Sequence, residues 1–199
     1  MIFRGLILTL MLLLGGCASS SMVKAPNQQL AAVPADKAQI VFMRSSIFGA
    51  AISAPMFDVT AAEPAFIGIL DNSSKLMLEV PAGKHTFMVV SEAADFLEAD
   101  LVAGKRYYAI VTPRMGAWKA RFSIWPVRAD NSGEFNKADA KVQKIISNTV
   151  LMQNSAKSEA WYQKNKNDVK NKQAEYWPVW QQKPTAELLE RTLLPTDGE

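Results

Sequence analysis

Cysteine and histidine are almost missing from this chain, which carries one of each among 199 residues. A single thiol cannot close an intramolecular disulfide, nor can it build a Cys-rich zinc or iron–sulfur site. A catalytic or metal role for the single imidazole would need partners, and no second His is present to join it. Long apolar runs are missing too. The longest at the amino terminus, Leu6–Leu14 (LILTLMLLL), reaches about 14 Å as a helix, less than half of a roughly 30 Å hydrocarbon core, so it is not a stable transmembrane anchor. Neither sign of charge dominates: 22 basic and 19 acidic residues leave +3. With 49% apolar and 21% charged residues, the composition argues against wholesale disorder and against a multi-span membrane protein. No Ser nucleophile elbow, HExxH helix or phosphate loop occurs. What remains is one core-bearing domain with an appendage.

The lone cysteine has a telling position. Arg4 precedes the apolar run and Gly15-Gly16-Cys17 follows it, which is the charged, apolar, small-residue order of an exported precursor. Leu14-Gly15-Gly16-Cys17 resembles the lipobox of bacterial lipoproteins. That resemblance implies removal of residues 1–16 as a signal peptide and a covalent lipid on Cys17, diacylglycerol on the thiol with a further acyl chain such as palmitate on the amine. Each buried methylene is worth about 0.8 kcal/mol, so two or three chains hold a protein durably on a membrane. An idle thiol is the bland alternative, disfavoured because Cys17 lies before any core begins. The next residue is Ala18, not the Asp that retains many lipoproteins in the inner membrane, which implies an outer-membrane site facing the periplasm. No cofactor is expected beyond the lipid.

Residues 17–36 read as a lipidated end and a flexible tether broken by Pro26 and Pro34, standing the domain on the order of 25 Å from the lipid. From Ala38 to Arg128 the chain falls into eight short runs that alternate or stay apolar: 38–44, 51–60, 65–70, 75–80, 84–91, 96–102, 106–112 and 118–127. No gap between them is long enough for a crossover helix, so the spacing predicts an antiparallel β-sandwich over 37–130. Turn residues such as Asp71-Asn72-Ser73-Ser74, Pro81-Ala82-Gly83 and Ala103-Gly104 separate the runs. Alternation places Leu76, Leu78 and Val80 on one face with Met77 and Glu79 opposite. His85 falls on the face of Phe87 and Val89, where a structural role is expected.

Pro81-Ala82-Gly83-Lys84-His85-Thr86-Phe87, after the strand Leu76–Val80, resembles a hairpin of small bacterial β-sandwich modules. Ala103-Gly104-Lys105-Arg106-Tyr107-Tyr108 resembles a strand start in the same family, and Phe42-Met43-Arg44-Ser45 its opening strand. The family is a group of bacterial lipoproteins of unknown function, related in style to PEGA-type and transthyretin-like domains. The resemblance covers roughly residues 37–128 and departs from the family at Asp58–Pro64, where a tighter turn is usual. It implies a periplasm-facing sandwich and no catalytic residues.

After Asp130-Asn131-Ser132-Gly133 neither Gly nor Pro recurs until Pro178, and residues 137–199 read as helical. Val142, Ile145, Ile146, Thr149 and Met152 fall on one face of a helix expected over Lys137–Gln153. Ser158–Tyr176 is a polar helix with a thin stripe of Tyr162, Val169 and Tyr176. Tyr176-Trp177-Pro178-Val179-Trp180 is expected to break it, and Thr185–Leu194 to form a last short helix. Residues 137–172 hold eight basic and three acidic side chains. Lys164, Lys166 and Lys170 with Trp177 and Trp180 are the candidate partner surface, suited to a periplasmic protein or an anionic cell-wall polymer, with packing on the sandwich as the alternative for the tryptophans. Nucleic acid is not expected of an exported protein.

These features favour a non-enzymatic, lipid-anchored envelope module. An envelope hydrolase is the alternative, resting on Glu98 and Asp100, which share a strand face opposed to Asp95; exposed polar alternation gives the same spacing. An inhibitor of a cell-wall lytic enzyme would use the same fold.

Overall fold

The structure, a computed structural model, describes residues 20–116 and 121–199. Leu14, Gly15, Gly16 and Cys17 lie outside the described residues, as does part of the run expected from Trp118. A two-residue strand β1 (Val23–Lys24) precedes the eight expected strands. These are β2 (Lys37–Arg44), β3 (Ala54–Asp58), β4 (Ala65–Leu70), β5 (Ser74–Pro81), β6 (Gly83–Val90), β7 (Ala94–Leu101), β8 (Arg106–Arg114) and β9 (Arg121–Arg128). Then come β10 (Phe135–Asn136), α1 (Ala140–Asn148), β11 (Val150–Gln153), α2 (Ala156–Gln181), α3 (Thr185–Glu190) and β12 (Thr192–Leu193).

The strands form two sheets, in the orders β1-β11-β5-β2-β8-β9-β10 and β12-β7-β6-β3-β4. The chain is thus mainly β with helical additions. The sheets are mixed, however, and not antiparallel throughout: β2 runs parallel to β8, and β10, β11 and β12 each add in parallel. A two-residue period fixes the face a side chain takes but carries no information on the direction of the neighbouring strand.

The main core lies between the sheets, where Phe42, Leu76 and Val80 meet Met56, Phe87 and Leu97. The Phe42 and Phe87 rings pack edge to face with centroids 5.0 Å apart. Each sheet also buries its outer face under a helix. On the seven-stranded sheet Val142 and Ile145 of α1 cover Val41, Met43 and Ile110. On the five-stranded sheet Tyr162, Val169 and Trp180 of α2 cover Phe57, Met88 and Phe96. The order of layers is helix, sheet, sheet, helix, so the carboxyl-terminal region completes the fold.

Three expectations are corrected. The tether does not run free from Ser20 onward. Val23 and Lys24 pair with Gln153 and Met152 of β11, Ser155 Oγ donates to the Ser21 carbonyl at 2.6 Å, and Met22 is 4% exposed inside the main core. Arg106 reaches the Ala31 carbonyl further along. The segment is polar because it lies on an edge, and one methionine plugs it in.

The helix expected over 137–153 stops at Asn148. Thr149 Oγ1 turns back to the Ile145 carbonyl at 2.7 Å, and residues 150–153 leave to pair with β5 and β1. α2, by contrast, does not break at Tyr176–Trp180 and runs through Pro178 to Gln181. An interior proline costs about 3 kcal/mol. Here Trp177 and Trp180 offset it by packing on Phe96, with ring centroids 5.1 and 5.7 Å away.

Candidate functional site

Four connections meet at one end of the sandwich: 45–53, 71–73, 91–93 and the one after Arg114, as the pairings Arg44↔Ser74, Ala54↔Leu70, Val90↔Ala94 and Arg114↔Arg121 require. Arg44, the last residue of β2, is fully buried there. Its guanidinium donates to the carbonyls of Gly49 at 2.5 Å and Leu70 at 3.2 Å, and to that of Ile52. It also lies 4.5 Å over the Phe122 ring. Burial pulls its pKa below the ordinary value and Asp71 works the other way. The loop 45–53 is therefore wrapped over a buried cation, with backbone carbonyls committed inward. Gly49 takes φ 65° in that wrap, a left-handed conformation that glycine adopts freely. Ile47 and Phe48 are left outside, fully and 52% exposed.

Asp71 organises the same end. It accepts from Ser53 Oγ at 2.5 Å and from Ser20 Oγ, while Asn72 accepts from the Ser46 N–H at 2.8 Å. The amino-terminal segment thus enters the domain beside the apolar loop. Behind Phe48 a groove of about 590 Å³ runs between the loop and α1, walled by Ile110, Pro113, Phe135 and Ile145 with Lys141.

The five residues expected to form a partner surface are only partly brought together: Lys170 and Trp177 line one groove beside Glu63, and Trp180 is withdrawn from it. Trp180 is 3% exposed and belongs to the core under α2, and Trp177 is half-buried against Phe96. Lys166 and Lys170 both reach Glu63, at 3.0 and 2.7 Å, and Lys164 stands exposed. The aromatics turn inward because their apolar area outweighs any gain from display.

His85 stacks on Phe87, centroids 5.9 Å apart. Its Nε2 lies 2.9 Å from the Pro81 carbonyl, and its Nδ1 lies 3.5 Å from an Asp58 oxygen and 3.3 Å from Thr60 Oγ1. Both ring nitrogens thus have partners within the protein. Glu98 and Asp100, the expected co-facial pair, line with His85 a groove of about 410 Å³. Asp95 is buried against Arg191, with Arg114 at 3.7 Å, and accepts from the Ile124 N–H. Glu98, on the opposite face, accepts from Trp180 Nε1 at 3.4 Å. Among the described residues no cluster of His, Cys, Asp and Glu is arranged to hold a metal, and no helix is long and apolar enough to cross a membrane.

Alternation could not reveal the loop end, because Ile47 and Phe48 lie outside any strand. The one local signal was a pair of large apolar residues between Ser45-Ser46 and Gly49. Compared with known proteins, the chain matches no family model and no curated protein sequence.

Proposed function

We propose that this protein is an envelope lipoprotein, lipidated on Cys17, whose sandwich is held directly against the outer membrane and faces the periplasm as a non-enzymatic binding or structural module. The observation that supports this most is the bond of Ser20 to Asp71. Cys17 is three residues before Ser20, a reach of at most about 11 Å at 3.8 Å per Cα step. A lipid on Cys17 would keep this end of the domain at the headgroup layer, nearer than the mean of about 25 Å for a free tether. The Leu14-Gly15-Gly16-Cys17 motif supplies the attachment chemistry and Ala18 the outer-membrane preference. The partner is read as a periplasmic protein or cell-wall polymer, met by the exposed face of α2 around Lys164.

The test is Cys17→Ser with labelled palmitate and detergent-phase partitioning. Wild type takes up label and enters the detergent phase; the variant does neither and accumulates as precursor. Equal labelling and partitioning of the two would remove the lipoprotein reading.

A further inference from the structure

We infer that the loop end is a second membrane contact, in which Ile47, Phe48, Ile52 and Met115 enter the headgroup–acyl boundary of the leaflet that holds the lipid. The inference rests on the reading of Cys17 as the anchor, and it adds an orientation to it.

Single exposed apolar side chains are ordinary on protein surfaces, whereas a cluster on one projecting end is not. Ile47 and Met115, fully and 80% exposed, are the two most exposed large apolar side chains among the described residues, and Phe48 at 52% and Ile52 at 39% stand with them. They are brought together by the fold. Ser46 bonds Asn72, Ser53 bonds Asp71, and Gly49 packs against Pro113, two residues before Met115. Arg44 fixes the loop from beneath through the carbonyls of Gly49 and Ile52, so Ile47 and Phe48 are displayed by a rigid base.

The occupant is indicated by where the chain leaves. Ser20 is bonded to the same Asp71 that holds Ser53, so the route to Cys17 starts beside the apolar side chains. A bilayer reached by that short span lies against this end. Charge agrees: Lys141 lies in the groove behind Phe48, placed for anionic headgroups, and Arg114 next to Met115 is half-exposed at the same end, its guanidinium 3.7 Å from Asp95. Insertion to a depth of about 5–10 Å suits side chains at loop tips. A lipid alone would let the domain swivel, and a second contact holds the long axis of the sandwich upright.

The test places a photoreactive benzophenone side chain at Phe48, at Met115, and at Val102 as control, in the full chain, both in cells and in vesicles of phosphatidylethanolamine and phosphatidylglycerol. Val102 is 40% exposed and lies in the turn beside the start of β2, about 25 Å from the loop end by strand rise. Phospholipid adducts, read by intact mass, are expected several-fold more often at positions 48 and 115 than at 102. Equal yields at all three, or capture of a protein or a second copy at 48 in place of lipid, would overturn the inference. The pair Ile47→Ser and Phe48→Ser, both at exposed positions, should leave cooperative melting intact and lower the adduct at 115 several-fold; an unchanged yield also overturns it. The same spectra report the lipid on Cys17. If that lipid is missing the anchor reading fails by itself, whereas a lipidated chain with dry loop tips overturns only the contact proposed for the loops.

Discussion

Arg128 and Asp197 meet at 2.9 Å with side chains only 7% and 3% exposed. Arg128 also donates to the carbonyls of Thr192 at 2.5 Å and Leu189 at 2.6 Å, and Asp197 accepts from the N–H groups of Ala129 at 3.1 Å and Leu194 at 2.8 Å. A second buried pair, Asp95 with Arg191, lies beside it in the fold, the guanidinium 4.3 Å over Trp125. The last residue joins in: the Arg106 N–H donates to the Glu199 carbonyl at 2.8 Å and the Glu199 N–H to that of Arg106 at 3.0 Å. Tyr108 donates to the Glu199 carboxylate, and burial, then that carboxylate, pushes its pKa up to about 12. The carboxyl terminus is a clasp across both sheets.

Breaking one side of a buried ion pair leaves the other charge uncompensated, at a cost of about 3–5 kcal/mol. Asp197→Ala is expected to lower the unfolding free energy by that amount in urea titrations followed by circular dichroism. A midpoint equal to wild type would mean that Arg128 is satisfied by the carbonyls alone.

Removing residues 137–199 takes β11 and β12 out of the sheets and uncovers the outer faces carrying Val41, Met43, Phe57 and Phe96. The shortened chain is therefore expected to lose its cooperative thermal transition and bind a dye for exposed apolar surface. A sharp β-type melt from residues 20–136 would show the two sheets to be self-sufficient.

A Cβ on Gly198 would come within 2.6 Å of Tyr107 Cζ, and that ring is fully buried. Gly198→Ala should therefore lift the terminal clasp, at about 1–3 kcal/mol by analogy with overpacked cores. Faster amide exchange at Arg106 is the accompanying signature, since its N–H is held by Glu199. Unchanged exchange would place the strain elsewhere.

The His85–Asp58 pair gives a pH dependence with two sides. The His85 pKa is raised, first by its hydrogen bond to Asp58, against an opposing effect of burial. Burial would raise the Asp58 pKa, but the bonds from His85 and Thr60 outweigh it and the value is lowered. The His85 contribution is thus complete below its unfolded pKa of about 6.5 and is lost as pH rises through the raised folded value. The Asp58 contribution is present above about pH 4 and is lost as pH falls through the depressed value. Stability should be greater near pH 5.5 than at pH 8, and His85→Phe should flatten that difference. A slope that persists in the variant would assign it to other groups.

The eight strands were legible because alternation is local. Leu76 and Val80 face the core and Met77 the outer side, as spacing alone required. The stripe Tyr162 and Val169 was legible for the same reason. Residues 150–153 were not, because Val, Leu and Met continue a helical face as well as they make a strand; what decided was the free edge of β5 beside them. Trp180 posed the same ambiguity, since an aromatic beside lysines serves display or burial equally until Phe96 is placed beneath it.

By itself the sequence determined the mainly β class, the faces of its strands, and a solitary cysteine placed behind a short apolar run. These depend on neighbours within a few residues. The tertiary structure alone decided that β2 lies parallel to β8, that the termini supply edge strands, and that Ser20 and Ser53 share Asp71 beside Ile47 and Phe48. Those relations join residues tens of positions apart, and local periodicity carries no record of such partners; they are selected by which arrangement buries the apolar faces and satisfies the backbone at once.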